Sequence, residues 1–223
     1  MCGTACLEFG ARVLSAEDVC GRDVLEVGAT DVNGSLRPQV ESLRPTRYVG
    51  VDLAPGRGVD EVCRAENLIE RYGAQAFDVV IATELLEHVE DWRRVVSNLK
   101  RVLKPGGVLL ITTRSRGFPY HAHPYDFWRY EIEDARAIFS DLEVEALEND
   151  PVEPGLFLKA RKPAAIREAD LLGLALYSIL LGRRVRSVGG CAKAWFRAKH
   201  FVWSRARKVV HRKYRTGILG KIT

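Results

Sequence analysis

Residues 24–34 read VLEVGATDVNG, a short apolar run that leads into two glycines. Val24 to Val27 has the length and composition of a buried strand, and glycine directly after it allows a tight turn into a helix. In a doubly wound sheet, such a turn lies at the carboxyl ends of the strands, where ligands bind. A glycine pair in one turn is weak support alone, because many such turns only close tightly.

Strand and helix patterns alternate through most of the chain. The apolar runs that predict further strands lie at 48–53, 59–63 (the weakest), 77–82 and 108–112. The helical patterns lie at 35–43, 68–72, 91–103 and 132–139. Runs at 142–147 and 156–160, joined by a turn-rich segment, predict an antiparallel strand pair. These patterns predict an α/β fold with a doubly wound, Rossmann-like sheet that is mostly parallel.

Three groups of residues follow predicted strands and are candidates for ligand binding. They are residues 26–34, Asp52 at the end of the second strand, and residues 83–85 after the fourth strand. A carboxylate in the position of Asp52 can accept hydrogen bonds from two ribose hydroxyls. The order and spacing of the three groups therefore predict a site for a nucleoside-containing cofactor.

Four of these segments resemble the motifs of class I S-adenosylmethionine-dependent methyltransferases, in the branch that acts on small molecules and sugars. The segments are VLEVGATDVNGS, YVGVDL, FDVVIATELLEHVEDW and LKPGGVLLITT, and the resemblance covers residues 21–161. It implies a seven-stranded sheet with an antiparallel last strand, and S-adenosylmethionine as the cofactor. NAD binding is the nearest alternative, but Gly28 and Gly34 do not have GxGxxG spacing.

The resemblance also implies a set of cofactor-binding residues. Residues of the first motif would contact the methionine and ribose, Asp52 would hold the ribose hydroxyls, Leu53 would pack on adenine, and residues 83–85 would close the pocket. Arg64 stands where the family often has an acid that binds adenine, so Glu66 or a backbone carbonyl is the expected substitute. The full set is Glu26, Gly28, Ala29, Thr30, Asp31, Gly34, Asp52, Leu53, Ala65, Glu66, Thr83, Glu84 and Leu85.

The acceptor site is expected in the loop after the fifth strand, residues 114–130, which resembles the segment that covers the cofactor pocket in this branch. A hydroxyl acceptor usually needs a general base. We predict His121 or His123 as that base, with Asp126 as its orienting group or a second acid. The alternative is a structural lid in which Asp126 pairs with Arg129. His88 is predicted to be structural, and no cluster has the spacing that would require a metal.

The C-terminal region has the opposite charge to the rest of the chain. The net charge of +5 combines −9 over residues 1–160 with +14 over residues 161–223. We therefore predict a methyltransferase domain over 1–162 and a basic helical extension over 163–223. A helical wheel of 193–215 gives one apolar face with tryptophan and phenylalanine and one basic face, which is typical of a helix at an anionic membrane surface. Nucleic-acid binding and docking on the protein's own core are the alternatives.

These observations predict O-methylation of a small-molecule or glycan (including glycolipid) acceptor. The alternatives are an inactive cofactor-binding scaffold and an RNA methyltransferase. The Asn/Asp-Pro-Pro-Tyr type of motif that serves base nitrogens is absent after the fourth strand, where the chain reads ATELLE. The five cysteines form no CxxC pair, which predicts reduced thiols. No secretory signal or run of about 20 apolar residues is evident, so a cytoplasmic location is expected, with peripheral binding at the inner face of the membrane.

Overall fold

A computed structural model of the protein describes residues 3–121, 125–190 and 196. The helices are α1 (Thr4–Val13), α2 (Ala16–Val19), α3 (Arg37–Ser42), α4 (Leu68–Tyr72), α5 (Trp92–Val102) and α6 (Ile132–Ile138). The strands are β1 (Asp23–Val27), β2 (Arg47–Asp52), β3 (Glu61–Val62), β4 (Phe77–Thr83), β5 (Leu103–Arg114), β6 (Trp128–Arg129), β7 (Glu143–Asn149), β8 (Gly155–Arg161), β9 (Leu176–Ser178) and β10 (Arg183–Val185).

Seven strands form the main sheet in the order β3-β2-β1-β4-β5-β8-β7. The first five of these are joined by parallel pairings, and β8 runs antiparallel to both of its neighbours. The strand order reverses between β1 and β4, so the carboxyl ends of these strands form a crevice there. The predicted Rossmann-like sheet with an antiparallel last strand is confirmed.

The amphipathic helix α5 covers one face of the sheet. Asp91 begins it by accepting a hydrogen bond from the backbone N–H of Arg94 at 3.2 Å. Val95, Val96 and Leu99 of this helix are completely buried. Each such side chain contributes about 1.5–3 kcal/mol relative to an exposed position. This packing holds β4 and the segment that follows it in a fixed position.

Helix α1 packs on the opposite face, in a region for which no helix or strand was predicted. Its Phe9 ring lies 5.0 Å from the ring of Phe157 on β8. Leu7 lies beside Gly34, and a β-carbon built on Gly34 would come within 2.9 Å of the Leu7 side chain. The N-terminal helix therefore borders the loop that follows β1.

Residues 163–189 contain two short strands, which corrects the prediction of a helical extension for this segment. Strands β9 and β10 join β6 in a second, three-stranded sheet. Arg93 of α5 donates hydrogen bonds to three carbonyl groups of the segment, those of Leu171, Leu174 and Arg186, at 2.5–2.8 Å. This part of the predicted helical extension is therefore divided between strands and turns. The remaining part of the extension, including nearly all of the basic segment 193–215, lies outside the described residues.

Two further predictions from the sequence concern membrane-spanning helices and the cysteines. Within the described residues, no helix has the length and apolar character needed to cross a bilayer. Cys20 and Cys63 are free thiols, as predicted, whereas Cys6 is disulfide-bonded. The prediction that all five cysteines are reduced is therefore wrong for Cys6.

Candidate active site

A cavity of about 250 Å³ opens at the carboxyl ends of β1, β2 and β4, at the crevice that the strand order predicts. It combines residues from five separate stretches of the sequence. The lining residues are Glu26, Val27, Gly28, Ala29, Thr30, Val32, Gly34, Ser35, Asp52, Leu53, Cys63, Arg64, Ala65, Glu66, Thr83, Glu84, Leu85, His88, Val89, Glu90, Tyr125 and Phe127. Twelve of the thirteen predicted cofactor-binding residues are in this set.

Gly28 forms the floor of the cavity where β1 ends. Its φ angle is +83°, in the left-handed region that favours glycine. A β-carbon there would lie 3.3 Å from a methyl carbon of Leu85. Because Gly28 has no side chain, the space beside its backbone stays open, and a cofactor can approach the backbone closely.

Asp52 has a carboxylate that is fixed by the backbone on both sides. Its Oδ2 accepts a hydrogen bond from the N–H of Thr30 at 2.9 Å, and its Oδ1 accepts one from the N–H of Leu53 at 2.6 Å. Each carboxylate oxygen has a second lone pair for another donor. Asp52 is thus held in place at the end of β2, where a ribose with two adjacent hydroxyls can bind.

Glu26 brings a second, buried carboxyl group to the cavity. The hydroxyl of Tyr48 donates a hydrogen bond of 2.7 Å to it. Burial raises the pKa of Glu26 to about 7, against the opposing effect of that hydrogen bond. At neutral pH this group is therefore close to its titration midpoint, and a cation bound beside it would favour the ionised form.

Asp31 is the one predicted cofactor-binding residue that does not line the cavity. Its carboxylate accepts a hydrogen bond from the N–H of Gly34 at 2.9 Å and pairs with Arg57 at 3.1 Å. These contacts turn it back onto its own loop, so it shapes the loop after β1. Arg64 and Glu66, at the end of the cavity predicted to bind adenine, both line it, and Arg64 Nη2 lies 3.3 Å from Glu66 Oε1.

Glu84 stands at the end of β4 with a φ angle of +52°. Its N–H donates to the carbonyl of Thr112 at 2.9 Å, and its carboxylate forms an ion pair with Arg114. Burial and the nearby carboxylate of Glu87 raise the pKa of Glu84 to about 7. The strained backbone and the ion pair together hold this side chain against β5 at the base of the cavity.

The described residues of the loop after β5, 115–121 and 125–127, are called the lid here, and Arg129 joins its two arms. The guanidinium of Arg129 donates to the carbonyls of Phe118 and Pro119 on one arm, at 3.2 and 3.0 Å. On the other arm it makes two hydrogen bonds to the carboxylate of Asp126, at 2.5 and 2.7 Å. Arg129 and Asp126 are both fully buried. The alternative prediction, a lid in which these two residues pair, describes this arrangement.

His121, a predicted base, also serves this framework. Its Nδ1 lies 3.0 Å from Asp126 Oδ2 and its Nε2 lies 3.8 Å from Glu87 Oε1. Although burial acts in the opposite direction, contacts with these two carboxylates raise the pKa of His121 to about 9. His121 is therefore a cation at neutral pH, and neither it nor Asp126 lines the cavity. His123, the other predicted base, lies outside the described residues.

His88, which was predicted to be structural, lines the cavity. Its ring lies edge-on to that of His121, with 4.8 Å between the ring centres. Glu87, His88 and His121 place one possible metal-ligating atom each within 4.8 Å of the others. The three groups therefore form a compact cluster of one carboxylate and two imidazoles.

The cavity fits S-adenosylmethionine on two structural grounds: the space above Gly28, and the anchored carboxylate of Asp52. The seven-stranded sheet and the position of the cavity define the class, which is that of class I methyltransferases. Residues 5–148 match the family described as "Methyltransferase domain", and the chain belongs to that family.

Solved structures of low sequence identity share this fold. An S-adenosylmethionine-dependent methyltransferase from Mesorhizobium loti aligns with a TM-score of 0.55 and 18% identity, over 72% of this chain and 99% of that one. The 1,6-didemethyltoxoflavin-N1-methyltransferase of Burkholderia thailandensis aligns with a TM-score of 0.58 and 17% identity, over 72% and 79%. That structure contains bound S-adenosylhomocysteine and 1,6-didemethyltoxoflavin.

Curated relatives are more similar in sequence over a shorter region. The ubiquinone biosynthesis O-methyltransferase of Idiomarina loihiensis is 33% identical over 109 residues, which is 43% of this chain and 44% of that protein. The enzyme of the same name from Coxiella burnetii is 29% identical over 111 residues, 44% and 46% of the two chains. The match thus spans less than half the length of these relatives.

Proposed function

We propose that this protein transfers the methyl group of S-adenosylmethionine to a hydroxyl oxygen of a small-molecule acceptor. The observation that carries the proposal is the cavity at the β1/β4 crevice, where Gly28 leaves room for a cofactor and Asp52 presents a fixed carboxylate. Transfer to oxygen is supported by the names of the curated relatives, which are O-methyltransferases. When bound, S-adenosylmethionine supplies an activated methyl group on a sulfonium.

The residues of the chain have three tasks in this reaction. Asp52 and the loop after β1 bind and orient the cofactor. The lid excludes water, because Arg129 holds its arms together beside the cavity. Holding the acceptor and the methyl donor in line can lower the barrier by up to about 7–11 kcal/mol.

The experiment has two stages. First, calorimetry measures binding of S-adenosylmethionine and S-adenosylhomocysteine to the wild type. Second, transfer of radiolabelled methyl groups is measured with matched panels of phenols, glycans, glycolipids and amines, and products are located by mass spectrometry. Methylation of hydroxyl acceptors supports the proposal. Labelling confined to amines contradicts O-methylation, and cofactor binding without turnover on any panel favours an inactive scaffold.

A lipid-linked acceptor and an anionic membrane surface are the partners that we propose for the basic segment 193–215. The support is its sequence, which separates aromatic and aliphatic residues from arginines and lysines at helical spacing. A cytoplasmic protein bound peripherally at the inner face of the membrane would meet such an acceptor directly.

Co-sedimentation with vesicles that contain or lack an anionic lipid measures this binding. The matched variant is Arg205→Glu/Arg207→Glu/Lys208→Glu in the full-length chain. We expect the wild type to bind anionic vesicles and the variant to lose most of that binding. Equal sedimentation of both would remove the membrane proposal, and salt-sensitive binding to RNA alone would replace it with a nucleic-acid partner.

A further inference from the structure

The cavity has two chemically different ends, and Asp52 lies between them. The order of the strands places Asp52 at the end of β2, with β1 on one side and β3 on the other. On the β1 side, the buried carboxyl group of Glu26 favours a cation, and the sulfonium and the ammonium group of S-adenosylmethionine lie on the same side of its ribose. On the β3 side, the cavity is lined by the exposed Leu53 and by residues 63–66. A ribose held by Asp52 therefore places the adenine ring against Leu53 and the turn after β3.

Two side chains of α5 hold this turn by its backbone. Nδ2 of Asn98 donates hydrogen bonds to the carbonyl groups of Ala65 and Glu66, at 3.0 and 2.8 Å. Nε of Arg94 donates to the carbonyl group of Glu66 at 2.9 Å. In the described part of the chain, neither Asn98 nor Arg94 is among the residues that line the cavity. The carbonyl groups of Ala65 and Glu66 therefore point towards α5 rather than into the cavity.

The contacts of Asn98 also fix the orientation of its own amide. Carbonyl oxygens only accept hydrogen bonds, so the amide must turn its NH2 group, and not its oxygen, towards the two carbonyls. Asn98 is buried, with 5% of its surface exposed. Loss of this donor would leave carbonyl oxygens of the turn without a partner in the interior, which is unfavourable. The single amide thus determines how the turn faces the cavity.

These contacts determine which acceptor of the turn can meet the amino group of adenine. A carbonyl oxygen has two lone pairs, and that of Glu66 uses both, for Asn98 and Arg94. The carbonyl group of Arg64 accepts from the backbone N–H of Asn67 at 2.9 Å. The carboxylate of Glu66 remains, since this residue lines the cavity and its Oε1 lies 3.3 Å from Arg64 Nη2. Its second oxygen, Oε2, can accept from a ligand.

We infer that Glu66 selects the adenine base by accepting a hydrogen bond from its 6-amino group, and that Asn98 and Arg94 are positioning residues for Glu66. An amino group donates to a carboxylate, whereas a keto oxygen in the same place would be repelled by it. The inference concerns recognition of the cofactor, so it does not depend on which atom of the acceptor is methylated.

The measurement is calorimetric binding of S-adenosylhomocysteine and of S-inosylhomocysteine, in which a keto group replaces the 6-amino group. The wild type should bind S-adenosylhomocysteine about 10- to 100-fold more tightly, the range for one hydrogen bond to a charged group. Glu66→Gln should bind the two ligands within about threefold of each other. Its amide can rotate to accept from the amino group or to donate to the keto group.

The matched control is Glu70→Gln, which removes the same charge four residues away. Glu70 pairs with Arg94 at 3.1 Å, and 69% of its side chain is exposed. It is not among the residues that line the cavity, so this variant should keep the wild-type ratio of the two affinities. An equal loss of the ratio in both glutamine variants would overturn the assignment to Glu66.

Asn98→Leu and Arg94→Met test the positioning roles. Asn98→Leu removes the donor with little change of volume, and the ratio of the two affinities should fall below about threefold. Both affinities are measured on one preparation, so a partly unfolded fraction does not change their ratio. Arg94→Met removes one donor at a side chain that is 50% exposed, so this variant should fold, and its ratio should fall at least about threefold.

The outcomes separate the parts of the inference. Equal binding of the two ligands by the wild type, or the wild-type ratio in Glu66→Gln, overturns the role of Glu66. Wild-type ratios in both Asn98→Leu and Arg94→Met overturn the positioning roles. A wild type that binds neither ligand would overturn the inference together with the cofactor site. A failure to methylate hydroxyl acceptors would remove only the proposed function, because the binding ratios are measured without an acceptor.

Discussion

The carboxylate of Asp52 accepts a hydrogen bond from the backbone N–H of Thr30 at 2.9 Å, which joins the end of β2 to the loop after β1. These two elements are neighbours because β1 and β2 pair in parallel, with Val27 beside Val51. One side chain thus orders the loop that would surround the cofactor and presents acceptors to its ribose.

Asp52→Ala should therefore weaken binding of S-adenosylmethionine by roughly 10- to 100-fold, since hydrogen bonds to a charged group contribute about 1.5–3 kcal/mol each. Calorimetry on the purified variant measures the change. Asp23→Ala, at the opposite end of β1, is the matched control and should bind like the wild type. Equal affinity of the Asp52 variant and the wild type would remove Asp52 from the cofactor site.

Gly28→Ala should abolish cofactor binding without unfolding the protein. Gly28 and Gly73 have nearly equal φ angles, +83° and +79°, but only Gly28 faces the cavity, and a β-carbon on Gly73 meets no atom within 4 Å. Both alanine variants place an L residue at a φ angle that favours glycine, so both should be destabilised. Thermal melts should therefore shift to lower temperature in both variants, whereas only Gly28→Ala should lose binding in calorimetry. Loss of binding in both variants would point to a general effect of strain.

Binding of S-adenosylmethionine should strengthen as pH rises through about 7. The pKa of Glu26 in the free protein is raised to about 7 by burial, and a bound sulfonium cation favours the ionised carboxylate, so binding releases a proton. Affinity should increase from pH 5.5 to 7 and level off above that. S-adenosylhomocysteine has no sulfonium charge and should show a weaker trend, and Glu26→Gln should flatten the curve. Identical pH profiles for both ligands would contradict this role of Glu26.

The sequence predicted the sheet and the cofactor cavity well because both depend on local patterns. The central strands β1, β4 and β5 are buried on both faces, so they read as continuous apolar runs. Gly28 directly follows β1, and Asp52 is the last residue of β2, so the strand patterns located both residues without a structure.

The lid and its surroundings were predicted less well because they are built from contacts between distant residues. Asp126 and Arg129 are three positions apart, so their pairing was foreseen as an alternative. The contact between His88 and the Tyr125 carbonyl spans 37 positions and involves the backbone, so no side-chain pattern reveals it. In the same way, the sequence after residue 170 does not show that the Arg93 guanidinium donates hydrogen bonds to three of its backbone carbonyl groups.

His121 should make the stability of the protein fall at alkaline pH. Its pKa is raised to about 9 in the folded protein, above the value near 6.5 for an exposed histidine. The stabilisation is therefore fully present below pH 6.5 and is lost as pH rises through 9. It amounts to at most on the order of 3 kcal/mol.

The measurement is chemical denaturation of the wild type and His121→Asn between pH 6 and 9.5. The difference in the free energy of unfolding between the two proteins should shrink towards the alkaline end. A difference that stays constant across this range would show that the ion pairs of His121 with Asp126 and Glu87 do not contribute to folding stability.

Removal of residues 163–223 should strongly destabilise the methyltransferase domain, whereas removal of residues 191–223 should destabilise it much less, mainly through loss of the Phe196 contact with Tyr120. Leu176, Leu180 and Val188 are buried in the same apolar core as α5. Deletion of the segment removes the stabilisation from each of these buried side chains, about 1.5–3 kcal/mol. It also leaves the Arg93 guanidinium without its three carbonyl acceptors. Strand β6 of the lid region would also lose its pairing with β9. Thermal unfolding and cofactor binding of chains that end at 162 and at 190 distinguish the two cases. The chain that ends at 162 could instead have the same melting temperature and cofactor affinity as the chain that ends at 190. Residues 163–190 would then be a separate appendage, and the predicted domain boundary at 162 would hold.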